Sequence, residues 1–375
     1  MKLHSVLFLI IVFLFTANIN GQQEYRRFFE KGKKYFEENK FSKSIKMLNK
    51  AIVIAPNVSG LYCERGRAFC EIGDTISSIA DFDKSIQLDG SYHNGTSFFL
   101  KAKVQFHEKN DYDSAVFYYK KAIIFDNFKA YNNYGNILDK LGHSDSAIYC
   151  YTKAIELKDS YSHAYYNRGT VLMAIKKYED AISDFDKAIF IDSSFTEAYQ
   201  NRALCYENVN EYFKAIRDYN KALELDPKKY DVYTNKGVCK GKSGDLDAAI
   251  VCFNMSIQIM PHNPSAYSNR GFAKSLKGLY NDALLDYDLA IDQDPQSSNF
   301  FYNRGVCHKN LENFNYAIKD LTQSIELNNK DGVVFYARAQ VYLKINKNRE
   351  ACLDLEKAIH LNYNQAKGLY EINCK

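Results

Sequence analysis

The chain has 375 residues, of which 46% are hydrophobic and 15% are aromatic, with 30 Tyr, 25 Phe and 5 Pro. This composition excludes a disordered chain, and the length exceeds that of a single compact core, so we expect several domains or an array of stacked repeats. The 49 basic residues nearly cancel the 45 acidic ones, giving a net charge of +4 with no blocks of either sign. Nucleic acid is therefore not an expected partner.

Residues 1–21 have the pattern of a signal peptide. Lys2 precedes an apolar run from Val6 to Ala17, and a polar stretch follows. Because the run is shorter than the roughly 20 residues of a membrane-spanning helix, we expect cleavage near Gly21 and no stable membrane insertion afterwards. The predicted location is the periplasm, the cell envelope or the exterior, and a signal-anchored membrane protein is the alternative.

The rest of the chain repeats itself with a period of 34 residues. The hexapeptide Ala-Tyr-Tyr-Asn-Arg-Gly at 164–169 returns in similar form at 198–203 and 266–271. Each repeat contains two apolar stretches of helical spacing joined by a short polar turn, which predicts an antiparallel helix pair.

Ten repeats are predicted when the residues at position eight of each are aligned. These residues are Gly32, Gly66, Lys103, Gly135, Gly169, Ala203, Gly237, Gly271, Gly305 and Ala339. The segment from Gly90 to Gly95 is predicted to be an inserted loop. The boundaries are 25–95 for repeats one and two with the loop, 96–331 for repeats three to nine, 332–363 for repeat ten, and 364–375 for a capping helix.

Positions within the repeat predict its packing. Position four is aromatic in all ten repeats, while positions eight and twenty are almost always small, so a large ring opposite small residues predicts a close-packed core. The third repeat is the weakest match to this pattern, because Lys103 stands where Gly is expected.

These positions resemble the tetratricopeptide repeat, which has an aromatic residue at position four, Gly or Ala at eight, Ala at twenty and Pro at thirty-two. The resemblance implies an all-α fold, a right-handed superhelical solenoid of antiparallel helix pairs, closed by a solvating cap. It also implies that position six of each first helix lies on a concave face.

Arg at position seven and Asp at position twenty-three occur together in six repeats and are both missing from the other four. The pairs are Arg65 with Asp81, Arg168 with Asp184, Arg202 with Asp218, Arg270 with Asp286, Arg304 with Asp320, and Arg338 with Asp354. Joint presence and absence predicts a charge-assisted bond between the two helices of a repeat. Sixfold repetition suits a structural role better than a catalytic one.

Asparagine occupies position six in six successive repeats, which we call the asparagine ladder. Its members are Asn133, Asn167, Asn201, Asn235, Asn269 and Asn303. The resemblance implies that such a ladder binds the backbone of an extended peptide, since an amide offers both a donor and an acceptor. The other interpretation is that each asparagine bonds to a neighbouring helix.

Position nine carries an apolar row beside the ladder. Its members are Leu204, Val238, Phe272 and Val306. These residues lie one helical turn from the ladder asparagines. They either receive side chains of a bound segment or pack between neighbouring repeats.

Charged residues replace the ladder in the first three repeats, which predicts a second, charged functional stretch. They are Glu30, Glu64 and Lys101 at position six, with Lys33 and Arg67 at position nine. The two-carboxylate clamp of some family members needs Lys or Arg at positions two and six. Asparagine at position six of the later repeats excludes that clamp there.

No motif of known enzyme chemistry appears, so we expect no catalytic residues, no metal and no cofactor. The eight histidines show no metal-ligand spacing, and no phosphate-binding glycine loop occurs. Cys205, Cys239 and Cys307 share position ten and are predicted to be buried, inert thiols. Pairing among the nine cysteines is left open by the sequence.

We therefore expect a non-enzymatic scaffold or adaptor that binds an extended protein segment in its concave groove in an exported compartment. One alternative is an accessory subunit of a cell-envelope or glycan-processing enzyme system. Another is a self-associating structural protein, since homo-oligomers through exposed helix faces are possible.

Overall fold

The computed structural model describes residues 21–88, 93–108 and 110–374, and the regular structure of this part of the chain is entirely α-helical. The predicted signal peptide lies outside the described residues except for Gly21, which is already helical. The helix that includes residues 21–37 is named α1. None of the described helices combines the length and apolar character needed to cross a membrane.

The chain divides into two compact units, Met1–Ser193 and Ser194–Lys375, called the N-terminal and C-terminal units below. The N-terminal unit continues with α2 (Phe41–Ile54), α3 (Ser59–Glu71), α4 (Thr75–Leu88), α5 (His93–His107), α6 (Tyr112–Ile123), α7 (Phe128–Lys140), α8 (Ser144–Leu157), α9 (Ser162–Ala174) and α10 (Tyr178–Ile191). The C-terminal unit contains α11 (Thr196–Asn208), α12 (Tyr212–Leu225), α13 (Tyr230–Lys242), α14 (Leu246–Ile259), α15 (Pro264–Leu276), α16 (Tyr280–Gln293), α17 (Ser298–Asn310), α18 (Phe314–Leu327), α19 (Gly332–Lys344), α20 (Asn348–His360) and α21 (Ala366–Asn373).

Within each unit the helices pair in chain order, so that α11 packs on α12 and α13 on α14, and each pair packs on the next. The turn inside each pair contains one residue in the left-handed region, which reverses the chain in a few residues. These residues are Asn39, Gly73, Asn110, Gly142, Lys176, Asn210, Gly244, Gly278, Glu312 and Asn346. They share position fifteen of the repeat, a regularity that the hydrophobic pattern does not reveal.

Glycine at position eight gives the two helices of a pair their close approach. A Cβ atom added to Gly237 would lie 2.6 Å from Cε1 of Phe253, and one added to Gly169 would lie 2.9 Å from Cε1 of Phe185. The ring that fills this space comes from position twenty-four of the second helix. The ring at position four also packs in this core, as Phe335 does in one cluster with Ala339 and Ala351.

The third repeat differs from its prediction. Helix α5 begins at His93, so the last part of the predicted Gly90–Gly95 loop is helical, and residues 89–92 lie outside the described part of the chain. The small residue that is buried at this point of α5 is Ala102, whereas Lys103 is exposed. The helix is shifted by one residue because α5 and α6 are separated by one residue more than α9 and α10. Helix α5 packs on both α3 and α4, as α9 packs on both α7 and α8.

The C-terminal helix α21 closes the C-terminal unit. Ala366 is fully buried, and Leu369 and Tyr370 pack with it against Leu355 of α20. A disulfide joins Cys352 of α20 to Cys374, just after α21. The structure therefore pairs two of the cysteines whose pairing the sequence left open, and this bond fixes the predicted cap to the preceding helix pair.

Candidate functional site

The first helices of the pairs form one surface of the C-terminal unit, which we call the inner face. Helix α11 contacts α13, α13 contacts α15, α15 contacts α17, and α17 contacts α19. Successive second helices are not in comparable contact in this unit. Neighbouring repeats are therefore closest along their first helices. Residues at positions six and nine lie on that side, since Asn269, Val238 and Phe272 line one pocket between α13 and α15.

The structure brings the two members of all six predicted Arg–Asp pairs together. Each Asp carboxylate accepts hydrogen bonds from Nε and Nη2 of its arginine; for Arg338 and Asp354 both distances are 2.8 Å. The equivalent bonds in the other five pairs join the same atoms. The aspartates are almost fully buried, and this two-bond geometry is the strong form of the interaction.

The same arginines also bind the preceding helix pair, which the sequence analysis missed. Nη1 of Arg338 donates to Oγ1 of Thr322 at 2.9 Å, and Nη1 of Arg270 donates to Oδ1 of Asn254 at 2.7 Å. Both acceptors occupy position twenty-five of the preceding repeat. A short polar residue at that position is the sequence feature that could have predicted this contact. The guanidinium carbon of Arg270 also lies 5.4 Å from the ring centre of Tyr267 at position four. These arginines thus hold the architecture together.

Three asparagines of the inner face have carboxamides that make no hydrogen bond within the described part of the chain. They are Asn235, Asn269 and Asn303, which we call the open asparagine row. Each of the three residues is half-buried. Its unbonded amide atoms are not fully buried, so water reaches them. Asn201 is also half-buried but has an interaction within the protein, so it is not counted in this row.

The ladder asparagines of the N-terminal unit are bonded instead. Nδ2 of Asn167 donates to Oδ1 of Asn132 at 2.9 Å and of Asn136 at 3.1 Å. Nδ2 of Asn133 donates to the Tyr119 hydroxyl at 3.2 Å. The interpretation that a ladder asparagine bonds to a neighbouring helix therefore describes these two residues. Both donors of Asn167 are used, and one of the two donors of Asn133.

An apolar pocket of about 350 Å³ lies next to the middle of the open asparagine row, between α13 and α15. Val238 and Phe272 line it together with Asn269, and Gly241 leaves one wall without a side chain. Val238 also packs against the buried cluster of Ala249, Phe253 and Ala273, whereas Phe272 is 49% exposed. Val238 therefore packs between neighbouring repeats and lines the pocket as well, whereas the ring of Phe272 is open to solvent. Whether the row receives side chains of a bound segment stays a prediction.

The other two members of the apolar row, Leu204 and Val306, are half-buried on α11 and α17. They do not line the pocket between α13 and α15.

The charged side chains at the start of the N-terminal unit pair with one another. Arg67 lies 2.7 Å from Glu64, and Lys33 lies 3.6 Å from Glu30. Lys101 is buried against the ring of Tyr118 and bonds to Asp83. These ion pairs neutralise much of the charge that suggested a separate functional stretch.

The cysteines of position ten are buried, as Cys205, Cys239 and Cys307 each expose 1% or less. Burial raises the pKa of Cys239 to about 12 and that of Cys307 to about 11. A reactive cysteine needs a lowered pKa, so these two thiols lack the environment of a nucleophile. Among the described residues no group of three His, Cys, Asp or Glu side chains is placed to hold a metal ion.

Family models of the tetratricopeptide repeat match residues 128–161, 162–195, 196–229, 218–251 and 298–331. The chain therefore contains tetratricopeptide repeats in both units. None of these models describes a catalytic domain.

A stretch of 97 residues is 32% identical to Hsp70-Hsp90 organizing protein 3 of Arabidopsis thaliana, covering 26% of this chain and 17% of that protein. Among solved structures, the chain resembles a tetratricopeptide repeat protein from Parabacteroides merdae, with a TM-score of 0.55 and 17% identity over 66% of this chain and 99% of that one. It also resembles the APC/C hetero-tetramer Cut9-Hcn1, with a TM-score of 0.52 and 15% identity over 92% and 95% of the two chains. At these identities the two structures establish the fold alone.

Together the helices and these matches define an all-α solenoid fold of tetratricopeptide type. Proteins built from this repeat act as protein-interaction scaffolds.

Proposed function

We propose that the protein is a non-enzymatic scaffold or adaptor that binds an extended segment of another polypeptide on the inner face of its C-terminal unit. The open asparagine row carries this proposal. Asn235, Asn269 and Asn303 recur every 34 residues on successive first helices, and their carboxamides are unbonded and accessible. Each offers one acceptor and two donors, which match the N–H and C=O groups that an extended backbone presents.

The apolar pocket gives the proposed ligand a side-chain requirement. Phe272, half-exposed, and Leu276, 58% exposed, stand at the pocket beside Asn269. A backbone held by Asn269 would place a neighbouring side chain into this space, and burial of a leucine- or phenylalanine-sized group contributes about 1.5–3 kcal/mol. The proposed ligand is therefore an extended segment with a bulky apolar side chain.

A peptide library tests this function. We would select 12-residue peptides on the purified protein and measure the affinity of a labelled winner by fluorescence anisotropy. A combined Asn235→Ala, Asn269→Ala and Asn303→Ala variant should weaken binding by tenfold or more with unchanged helicity, because each lost amide bond contributes about 0.5–1.5 kcal/mol.

A matched control keeps the number and type of substitutions. Asn220, Asn281 and Asn315 are exposed on the second helices of the same unit, and their combined change to Ala should leave the affinity unchanged. Equal affinity of the wild type and the inner-face variant would refute the proposal. Failure to select any peptide, together with specific binding on a glycan array, would favour the glycan-processing alternative instead.

We also propose that the protein acts in an exported compartment. The support is the charged start and the apolar run between Val6 and Ala17, together with the disulfide between Cys352 and Cys374, since structural disulfides persist in oxidising compartments. Intact mass measurement of protein from its native cells should show loss of about 21 residues. Recovery of the unprocessed chain in the cytosolic fraction would contradict export.

A further inference from the structure

A second pocket lies at the other end of the inner face, between α17, α19 and the cap helix α21. Its volume is about 550 Å³. Phe314, Leu343 and Leu369 give it an apolar wall, and Lys309, Gln340 and Lys344 give it a polar side. The pocket shares no residue with the one beside Asn269. Leu369 belongs to the helix that the Cys352–Cys374 disulfide fixes, so this wall is held in place.

Lys309 has no acidic partner in this pocket. Its Nζ donates a hydrogen bond to Oε1 of Gln340 at 2.8 Å, and this Nζ forms no ion pair with a carboxylate of the described chain. An ammonium group has three donors, so two are left for a ligand. Burial lowers the pKa of Lys309 below its usual value, with no charge to offset the loss of water.

Other lysines of the same unit show what is missing. Lys242, also near the inner face, lies 2.9 Å from Glu207, and this bond raises its pKa. Lys274 lies 2.8 Å from Asp286. Glu312 lines the pocket of Lys309, but it is exposed and forms no ion pair. The half-buried charge of Lys309 is thus left without the counter-charge that Lys242 and Lys274 have.

We propose that this pocket binds a carboxylate carried next to an apolar side chain in a polypeptide partner. The carboxylate would take the free donors of Lys309, with the exposed Lys344 adding attraction at the rim. The apolar side chain would lie against Phe314, Leu343 and Leu369. A charge-assisted bond in a partly dry pocket is stronger than one in water, which favours this arrangement. The carboxylate belongs either to an Asp or Glu side chain or to a chain terminus.

Three labelled peptides test the site. One ends in Leu-Glu-amide and carries a side-chain carboxylate, one ends in Leu with a free C-terminal carboxylate, and one ends in Leu-Gln-amide and carries neither. Fluorescence anisotropy with the full protein should show binding of at least one carboxylate peptide and at least tenfold weaker binding of the Leu-Gln peptide. The preferred carboxylate peptide identifies the source of the charge.

Variants then assign the binding to this pocket. Lys309→Gln should weaken the carboxylate peptide about tenfold or more, while Lys309→Arg should retain binding. Lys319→Gln removes the same charge from an exposed position on α18 and should leave the affinity unchanged.

Two results would overturn the proposal: no binding of either carboxylate peptide, or equal binding to the wild type and Lys309→Gln. The variant with alanine at positions 235, 269 and 303 should bind these peptides as the wild type does. The proposal for this pocket and the proposal for the asparagine row are therefore tested independently.

Discussion

The buried ion pair between Arg338 and Asp354 offers a quantitative test of how the helix pairs are held together. The side chain of Asp354 is 8% exposed and that of Arg338 is 16% exposed. The third partner of the arginine is the neutral hydroxyl of Thr322. Asp354→Ala therefore leaves a partly buried positive charge with no carboxylate.

The magnitude follows from the burial of the arginine. Breaking a fully buried pair by removing one partner costs about 3–5 kcal/mol. Because some water reaches Arg338, we expect about 2–4 kcal/mol for Asp354→Ala. Replacing both partners, as in Arg338→Met with Asp354→Leu, should recover most of this loss. The seventh repeat supports that expectation, since it has Lys236 and Cys252 at these positions and α13 still packs on α14.

Urea unfolding followed by circular dichroism measures the change, and hydrogen exchange of α19 and α20 shows where it occurs, because repeat arrays can unfold in parts. Glu224→Ala is the control, since its ion pair with Lys221 is exposed and should contribute nothing measurable. A wild-type unfolding curve for Asp354→Ala would refute the structural role of the pair. So would a double variant no more stable than the single one.

Three further predictions concern the turns, the cap and the buried thiols. Gly73 has a φ of +77°, so Gly73→Ala should lower the free energy of unfolding by about 1–2 kcal/mol. Gly60 has open space around it in a helix, so Gly60→Ala should not lower it. Equal urea midpoints for the two variants would contradict this prediction. Cys352→Ser should destabilise α20 and α21 by about 3 kcal/mol, because the lost disulfide closes a loop between residues 22 apart in sequence. Unchanged hydrogen exchange in α21 would count against this prediction. Burial raises the pKa of Cys239 from 9.0 to about 12, so its contribution to stability is full below pH 9.0 and is lost as the pH rises towards about 12. The urea midpoint of Cys239→Ala should therefore fall less than that of the wild type over this range, and parallel profiles would exclude the effect.

The fold was predictable because one residue position makes the same physical demand in every repeat. Gly237 shows this, since any side chain there would meet the ring of Phe253. The same periodicity failed at α5, where an additional residue in the turn shifted the helix and moved Ala102 into the place assigned to Lys103. Turn length is set by a few polar residues and leaves little trace in a hydrophobic pattern.

The sequence predicted which positions form the candidate site, but not which of their side chains are already hydrogen-bonded within the protein. Asn167 and Asn269 occupy the same position, yet Asn136 of the preceding repeat captures the amide of Asn167. The residue equivalent to Asn136 in the seventh repeat is Val238, which offers no side-chain acceptor to Asn269. A comparison of positions six and nine across neighbouring repeats would have distinguished the two cases. The isolation of Lys309 had no such signal, because it depends on which carboxylates the fold brings near it.

The central claim is that the inner face of the C-terminal unit holds the backbone of a bound peptide. The most direct test is a double-mutant cycle between the selected peptide and Asn269, in which single backbone amides of the peptide are N-methylated so that one donor is lost and the side chains are kept. We expect methylation at one amide to weaken binding to the wild type by about tenfold and to have little effect on Asn269→Ala. Equal effects of every methylation on both proteins would contradict backbone recognition by the asparagine row.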